Sequence, residues 1–276
     1  MVRSLWTAAT GMIAQQNNVD TIANNLANVN TTGYKTETNE FKSLLYQTLQ
    51  TRTTTANGDE KPIGAQVGLG VRNSSITSQF TQGALLDSES TTAMAISGKG
   101  FFAVRGEDGE TYYTRNGDFN FSLGVGGTLQ LTTSDGQQVL STTGQPITVP
   151  GQINGQDTIA NKITVSADGS LYYPDADNNP QPINITIGLY QFQNPKGLDK
   201  VGDSLYSVSA ASGPALNEAT NAALEDSIIR QGYLEGSNVQ VADEMVNLII
   251  AQRAYELNSK AIQATDEMLQ QANQLR

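Results

Sequence analysis

The chain has 276 residues and a mass of 29.4 kDa, enough for one substantial core or for a compact domain with extended additions. Its 16 Lys and Arg stand against 27 Asp and Glu, a net charge of -11 that argues against charge-driven binding to nucleic acid or to an anionic membrane. With neither cysteine nor histidine it has no thiol nucleophile, imidazole base, disulfide or Cys/His zinc site.

The opening stretch, MVRSLWTAATGMIAQQNN, is broken by Thr7, Thr10 and Gly11 and carries no cleavage-like site, so no secretory signal peptide is expected. No apolar run approaches the ~20 residues that span a bilayer. Leu5, Met12, Val19 and Leu26 lie seven apart, with Ala8, Ile22 and Val29 three residues on from members of that series and Gln15 interrupting the second row. This spacing predicts a helix with a heptad stripe. The stripe is narrow and bordered by Gln, Asn and Thr, so the helix needs a partner for its stability. It runs into NNLANVNTTGYK, where Asn24, Asn25, Asn28 and Asn30 cluster, residues that compete with the helix by bonding nearby backbone. Gly33 is placed to end the helix in a left-handed conformation.

Residues 46–66, YQTLQTRTTTANGDEKPIGAQ, are polar and turn-rich, with Asn57-Gly58 and Pro62, and read as a loop. Between about residues 98 and 210 the period changes. FFAVRG, GTLQLTT, QPITVP, KITVSADGSLYYP and NITIGLYQF run or alternate in short apolar stretches, separated by Asp-Gly and Asn-Gly steps. That pattern predicts an all-β domain of short hairpins and disfavours an α/β nucleotide fold. Residues 209–221 are again polar and lead back to a second heptad helix, in which Val241, Leu248, Tyr255, Ile262 and Leu269 lie seven apart beside Met245, Ala251 and Met268. Two matched stripes at opposite ends of one chain favour the ends pairing with each other or with neighbouring subunits.

Candidate chemistry fails on its particulars. Asp175, Asp177 and Asn179 have calcium-loop spacing, but Pro180 and Thr186 occupy the positions that require Gly and Glu. Gly68-Leu69-Gly70 and Gly98-Lys99-Gly100 lack the third glycine of a dinucleotide fingerprint. Glu107/Glu110 and Asp199/Asp203 lie in hydrophilic turns with nothing to separate their pKa values. No enzyme, metal or cofactor is expected.

The stretches ANNLANVNTTGYK, LLYQTL and VGLGV at the start and GYLEGSNVQVADEMVNLIIAQRAYELNSKAIQATDEMLQ at the end resemble the rod and hook proteins of the bacterial flagellum; FTQGAL, AISGKGFFAV and YTRNGDFNF resemble the family's β domain. The likeness is nearest to distal-rod members. It implies an α+β fold in which N- and C-terminal helices pair as a coiled coil and an extended β-rich connector leads to a central all-β domain. On that pattern residues 1–34 form the inner N-terminal helix, 35–92 a connector with a rod-specific insertion at 46–66, 93–217 the outer β domain, 218–236 the connector's return and 237–276 the inner C-terminal helix.

The implied function is a structural subunit of the distal rod, or drive shaft, that polymerises helically and transmits torque from motor to hook. The implied partners are further copies of the chain, other rod proteins, the hook protein and the flagellar type III export apparatus, with no nucleic acid and no small-molecule substrate; the implied location is the basal body in the cell envelope. Leu5, Met12, Val19, Asn24, Asn25, Leu26, Asn28 and Gly33 are the expected assembly residues of the first helix. Val241, Leu248, Gln252, Arg253, Tyr255, Asn258, Ile262 and Leu269 are those of the second, with Tyr255 equally readable as plain core. The Asn amides are expected to bond between helices and fix their register. By the same resemblance the stretch with Tyr46, Asn57, Gly58 and Pro62 keeps the rod straight. The alternatives are a proximal rod protein of the same architecture or, from another class, a carbohydrate-binding or adhesive module using Tyr112, Tyr113, Tyr172 and Tyr173. Adjacent tyrosines in a strand point to opposite faces, so one of each pair is expected in the core.

Overall fold

The structure is a computed structural model that describes residues 2–50, 65–124, 127–153, 156–175, 179–221 and 223–274. It is an α+β chain: a helix at each end and a β-rich centre. The chain divides into two compact units, one of Met1–Ala27, Glu37–Ser78 and Gln240–Arg276, the other of Asn28–Thr36 and Gln79–Val239.

The second unit holds the dry core. Its main sheet has ten strands among the described residues. Phe101–Arg105 lies at its centre, hydrogen-bonded to antiparallel neighbours at Thr111–Thr114, Gln138–Val139 and Leu189–Gln191. FFAVR is apolar on both faces because both are covered. Phe102 and Val104 point into a cluster with Phe119, Leu131, Val149, Leu171 and Ile187. Phe101 and Ala103 point the other way, towards Tyr113, Phe192, Leu198 and Tyr206. The two-residue period of a strand thus feeds two cores from one segment. The second cluster is aromatic and edge-packed: Tyr113 and Phe192 have ring centroids 4.9 Å apart and nearly perpendicular planes, as the ring quadrupoles favour.

Residues 218–236, expected as a connecting return, supply two strands of this unit. Ile228–Gln231 pairs antiparallel with Met94–Ser97, and Tyr233–Glu235 with Leu85–Asp87. The polar composition of the stretch conceals them, since each strand is only three or four residues long.

In the first unit, α1 (Val2–Ala27) and α2 (Val241–Gln274) pack together, and α1 also packs on a two-stranded ribbon of β1 (Glu37–Ser43) and β4 (Val71–Ser78). Between those strands the chain forms a second antiparallel pair, β2 (Tyr46–Gln50) with β3 (Ala65–Gly68), at the two ends of the stretch read as a loop from composition; its residues 51–64 lie outside the described residues. α1 stops at Ala27, earlier than the expected end near Gly33. Residues 28–33 turn instead, with the Thr31 N–H on the Asn28 carbonyl at 3.2 Å and the Thr31 hydroxyl on the Asn28 side chain at 3.1 Å. Short polar side chains that offer the backbone local partners end a helix in this way.

Candidate assembly surface

α1 and α2 run antiparallel: Gly11 of α1 lies against Asn258 of α2, and Asn25 of α1 bonds Glu244 near the start of α2. A Cβ added to Gly11 would lie 2.9 Å from the Asn258 amide nitrogen, so a side chain at that position would push the Asn258 amide aside. The buried residues of α1 are Ala8, Ala14, Thr21, Ile22 and Asn25. Those of α2 are Glu244, Ala251 and Thr265. Both threonine hydroxyls return to the carbonyl four residues back, Thr21 to Asn17 at 2.9 Å and Thr265 to Ala261 at 2.7 Å, which satisfies them without a partner helix.

On α1 the expected stripe of Leu5, Met12, Val19 and Leu26 is half-buried, and the companion residues Ala8 and Ile22 are buried. On α2 the expectation divides. Leu248, Ile262, Leu269 and Asn258 are half-buried, whereas Val241, Gln252, Arg253 and Tyr255 are exposed, as are Met245 and Met268. Arg253 pairs with Glu256 on its own helix at 2.9 Å, an exposed contact of small energetic weight. The row most deeply buried on α2 is Glu244, Ala251, Asn258 and Thr265, also seven apart. Only its Ala251 is apolar, so a search for apolar heptads passes over it, while a search for seven-residue spacing among small and polar residues would have found it.

Asn25 shows what one of the clustered asparagines does. Only 1 % exposed, it accepts the Glu37 N–H through Oδ1 at 2.9 Å and donates to the Glu37 carbonyl through Nδ2 at 2.8 Å. The side chain presents to β1 the donor and acceptor that a neighbouring strand would present. The same Nδ2 reaches the buried Glu244 carboxylate at 3.3 Å. One amide therefore ties the end of α1 to the start of β1 and to α2. Asn24 is exposed and Asn28 half-buried in the turn that follows.

The large apolar side chains that a helix pair would ordinarily bury lie outside this seam. Val246, Ile250 and Leu257 follow one face of α2, flanked by Met245 and Ile249, and Leu257 is 67 % exposed. Trp6 and Ile13, one heptad apart on α1, are equally open. The β2–β3 ribbon adds Leu45, Tyr46 and Leu49, with Leu45 83 % exposed and the Tyr46 ring lying beside Gly68. Asn57, Gly58 and Pro62, named with Tyr46 from the sequence, lie outside the described residues. Contiguous apolar surface of this kind marks an interaction site, and a two-stranded ribbon alone is marginal in water. For the adhesive alternative the β unit offers little. Tyr113 and Tyr173 are buried, and the Tyr112 hydroxyl bonds Asp108 at 2.6 Å.

The chain thus joins helical ends that expose several large apolar residues to a β unit with its own buried core. Three family profiles match it: "Flagella basal body rod protein" over residues 5–35, "Flagellar hook protein FlgE/F/G D1 domain" over 95–173 and "Flagellar basal body rod FlgEFG protein C-terminal" over 230–275. Similar proteins include the flagellar basal-body rod protein FlgG of Borreliella burgdorferi, 42 % identical over the whole of this chain and 99 % of the relative, and that of Caulobacter vibrioides, 42 % identical over the whole of both. The FlgG of Bacillus subtilis is 36 % identical over 98 % of each. The chain belongs to the FlgG family of flagellar basal-body rod proteins, structural subunits of the flagellar rod.

Proposed function

We propose that the chain polymerises helically as the distal rod, the drive shaft that carries torque from motor to hook, with α1 and α2 working as an antiparallel coiled coil on the inside of the tube. The exposed row Val246, Ile250 and Leu257 on α2 carries the reading: it is an apolar face left uncovered among the described residues, on a helix whose buried positions are Glu244, Ala251 and Thr265. A second copy supplies the cover, and because the face of one subunit meets a different face of the next, the array stays open and grows as a filament. The half-buried Leu5, Met12, Val19, Leu26, Leu248, Ile262 and Leu269 pack the pair, and Asn25 and Asn258 fix its register. In this reading the exposed Val241, Gln252, Arg253 and Tyr255 face neighbouring subunits, as does Asn24, while Gly33 and Asn28 shape the turn that leaves the helix.

The β2–β3 ribbon, with Tyr46 at its base and Asn57, Gly58 and Pro62 further along the chain, wedges between subunits and keeps the rod straight. Other rod proteins and the hook protein bind at the two ends of the tube, and the subunit arrives through the flagellar type III export apparatus. The protein acts without catalysis or cofactor.

Negative-stain electron microscopy of concentrated full-length chain tests this directly. Straight tubes are expected for the parent, and only monomers for Ile250→Asp and Leu257→Asp, changes at exposed positions that leave the β unit folded. Deleting residues 48–64 is expected to give curved or flexible tubes. Straight tubes from both aspartate variants would remove the α2 face from the assembly, and straight tubes from the deletion would end the wedge reading.

A further inference from the structure

The second unit contains a buried ionic cluster that the rod reading does not use. Glu235 is fully buried. Its Oε1 accepts from the Lys35 ammonium at 2.6 Å and from the Gly83 N–H at 2.9 Å, and its Oε2 accepts from the Arg115 guanidinium at 3.3 Å. Lys35 also donates to the Thr81 carbonyl at 2.8 Å, and Arg115 donates to the Gly98 carbonyl at 2.7 Å while its guanidinium lies 5.1 Å from the centre of the Phe101 ring. Burial holds both Lys35 and Arg115 below their ordinary pKa values, with the Glu235 charge opposing that shift in each. Two cations and one carboxylate in a dry site are costly to assemble and costlier to break, because removing one partner strands the others.

The cluster joins segments far apart in sequence. The Gly33 N–H donates to the Glu235 carbonyl at 2.7 Å. Gly33 has φ +70, and a Cβ there would come within 2.6 Å of the Asn116 nitrogen. The Thr32 hydroxyl bonds the Asn116 side chain at 2.9 Å. Asn238 then stitches the next residues: its Oδ1 accepts from the N–H and the hydroxyl of Thr36, each at 2.7 Å, and its Nδ2 donates to the Gln79 carbonyl at 2.8 Å and to the Thr81 hydroxyl at 2.7 Å. The chain passes between the two units at residues 27/28, 36/37, 78/79 and 239/240. These bonds hold residues on the β side of three of the passages, at Thr36, Gln79 and Asn238, and each is made within the β unit.

We propose that Lys35, Glu235, Arg115 and Asn238 form a clasp that fastens residues 28–36 into the β unit as an integral strap, folded whether or not α1 and α2 are ordered. The strap gives both helices fixed stubs from which to order. It also places the boundary of the self-sufficient body at residue 28 and not beyond the GYK stretch, since a chain starting at residue 36 would lack Lys35 and leave Glu235 with one cation fewer. The clasp stands on the second unit alone and does not depend on polymerisation.

The test is NMR-detected hydrogen exchange on dilute, full-length, unpolymerised chain, read at the Gly33 amide. Gly11→Leu, which drives a side chain into Asn258 and disrupts the helix pair, is expected to leave Gly33 exchange within about threefold of the parent while α1 amides exchange freely. Lys35→Met and Asn238→Ala are expected to speed Gly33 exchange at least ~30-fold while amides of Phe101–Arg105 stay protected. If Lys35→Met fails to fold, Asn238→Ala decides, because it changes no charge and leaves the Gly33 bonding partner in place. Gly33 exchanging together with α1 in Gly11→Leu, or staying slow in Asn238→Ala, would overturn the clasp.

Discussion

The β core and the helical seam solve opposite problems. Around Phe101–Arg105 the large side chains are inside, with Phe101, Phe102, Phe119 and Leu131 fully buried in two packed clusters. On α1 and α2 the buried residues are Ala8, Ala14, Thr21, Ile22, Asn25, Glu244, Ala251 and Thr265, mostly small or polar, while Trp6, Ile13, Val246, Ile250 and Leu257 are exposed. Hydrophobic stabilisation scales with apolar area removed from water, so the first region draws more of it from within the chain than the second does. On the proposed assembly, a polymer subunit would gain from this division, its body folding first and its helices committing when a partner covers them.

The largest expected effect breaks the body. Phe102→Ala removes a ring packed edge-on against Phe119 at 5.0 Å and should cost ~3–5 kcal/mol, seen as a lower melting temperature of the β unit. A shift no larger than that of a surface substitution would show that this core is not where the stability resides. Next comes Gly11→Leu, which overpacks the seam against Asn258 and should cost about 1–3 kcal/mol of helix pairing, read as lost helical circular dichroism with the β unit intact.

Asn25→Ala strips both backbone partners from Glu37 and a donor from buried Glu244, and should cost about 1–3 kcal/mol in the first unit alone. Domain-resolved hydrogen exchange would reveal whether the loss spreads. Equal loosening of both units would erase the distinction drawn between them.

A smaller effect comes from pH. Burial raises the Tyr113 phenol from its ordinary 10.0 to about 12. The folded state holds this proton more tightly than the unfolded chain, so the stability linked to it is intact below pH 10 and is lost as pH rises through 12. A sigmoidal loss of roughly 1–2 kcal/mol across that window, reduced in Tyr113→Phe, should appear in alkaline denaturation followed on the β unit. Smallest of all on the monomer is Leu257→Ala, expected to change stability by less than ~0.5 kcal/mol because the side chain is exposed. Shortened polymers from the same variant would sharpen the contrast between the regions.

Some of this is legible in the residues themselves. FFAVR, with no polar position in its first four residues, reads as a strand covered on both faces. YY at 112–113 and 172–173 divides as alternation requires, the second tyrosine of each pair going to the core. The heptad of α1 marks Ala8 and Ile22, which are buried. Other features escape because their signal is polar. The α2 row of Glu244, Ala251, Asn258 and Thr265 has the right spacing and the wrong hydropathy. Asn25 reads as a helix breaker until Glu37 and Glu244 appear beside it. Glu235 lies in a polar stretch with nothing nearby in sequence to identify Lys35, 200 positions away, as its partner.

By itself the sequence determined the classes of element and their order: a heptad helix at each end, short strands between them, and the glycine at position 33 whose left-handed backbone lets the chain turn. These follow from periodicity and backbone sterics, which are local. Tertiary structure alone decided which stripe of α2 meets α1, where α1 ends, and that residues 28–36 belong with the β unit. Those choices rest on pairing buried polar groups across tens to hundreds of residues. A hydrogen bond or ion pair takes its value from the partner it finds after the chain has folded, and that partner leaves no periodic trace in the sequence.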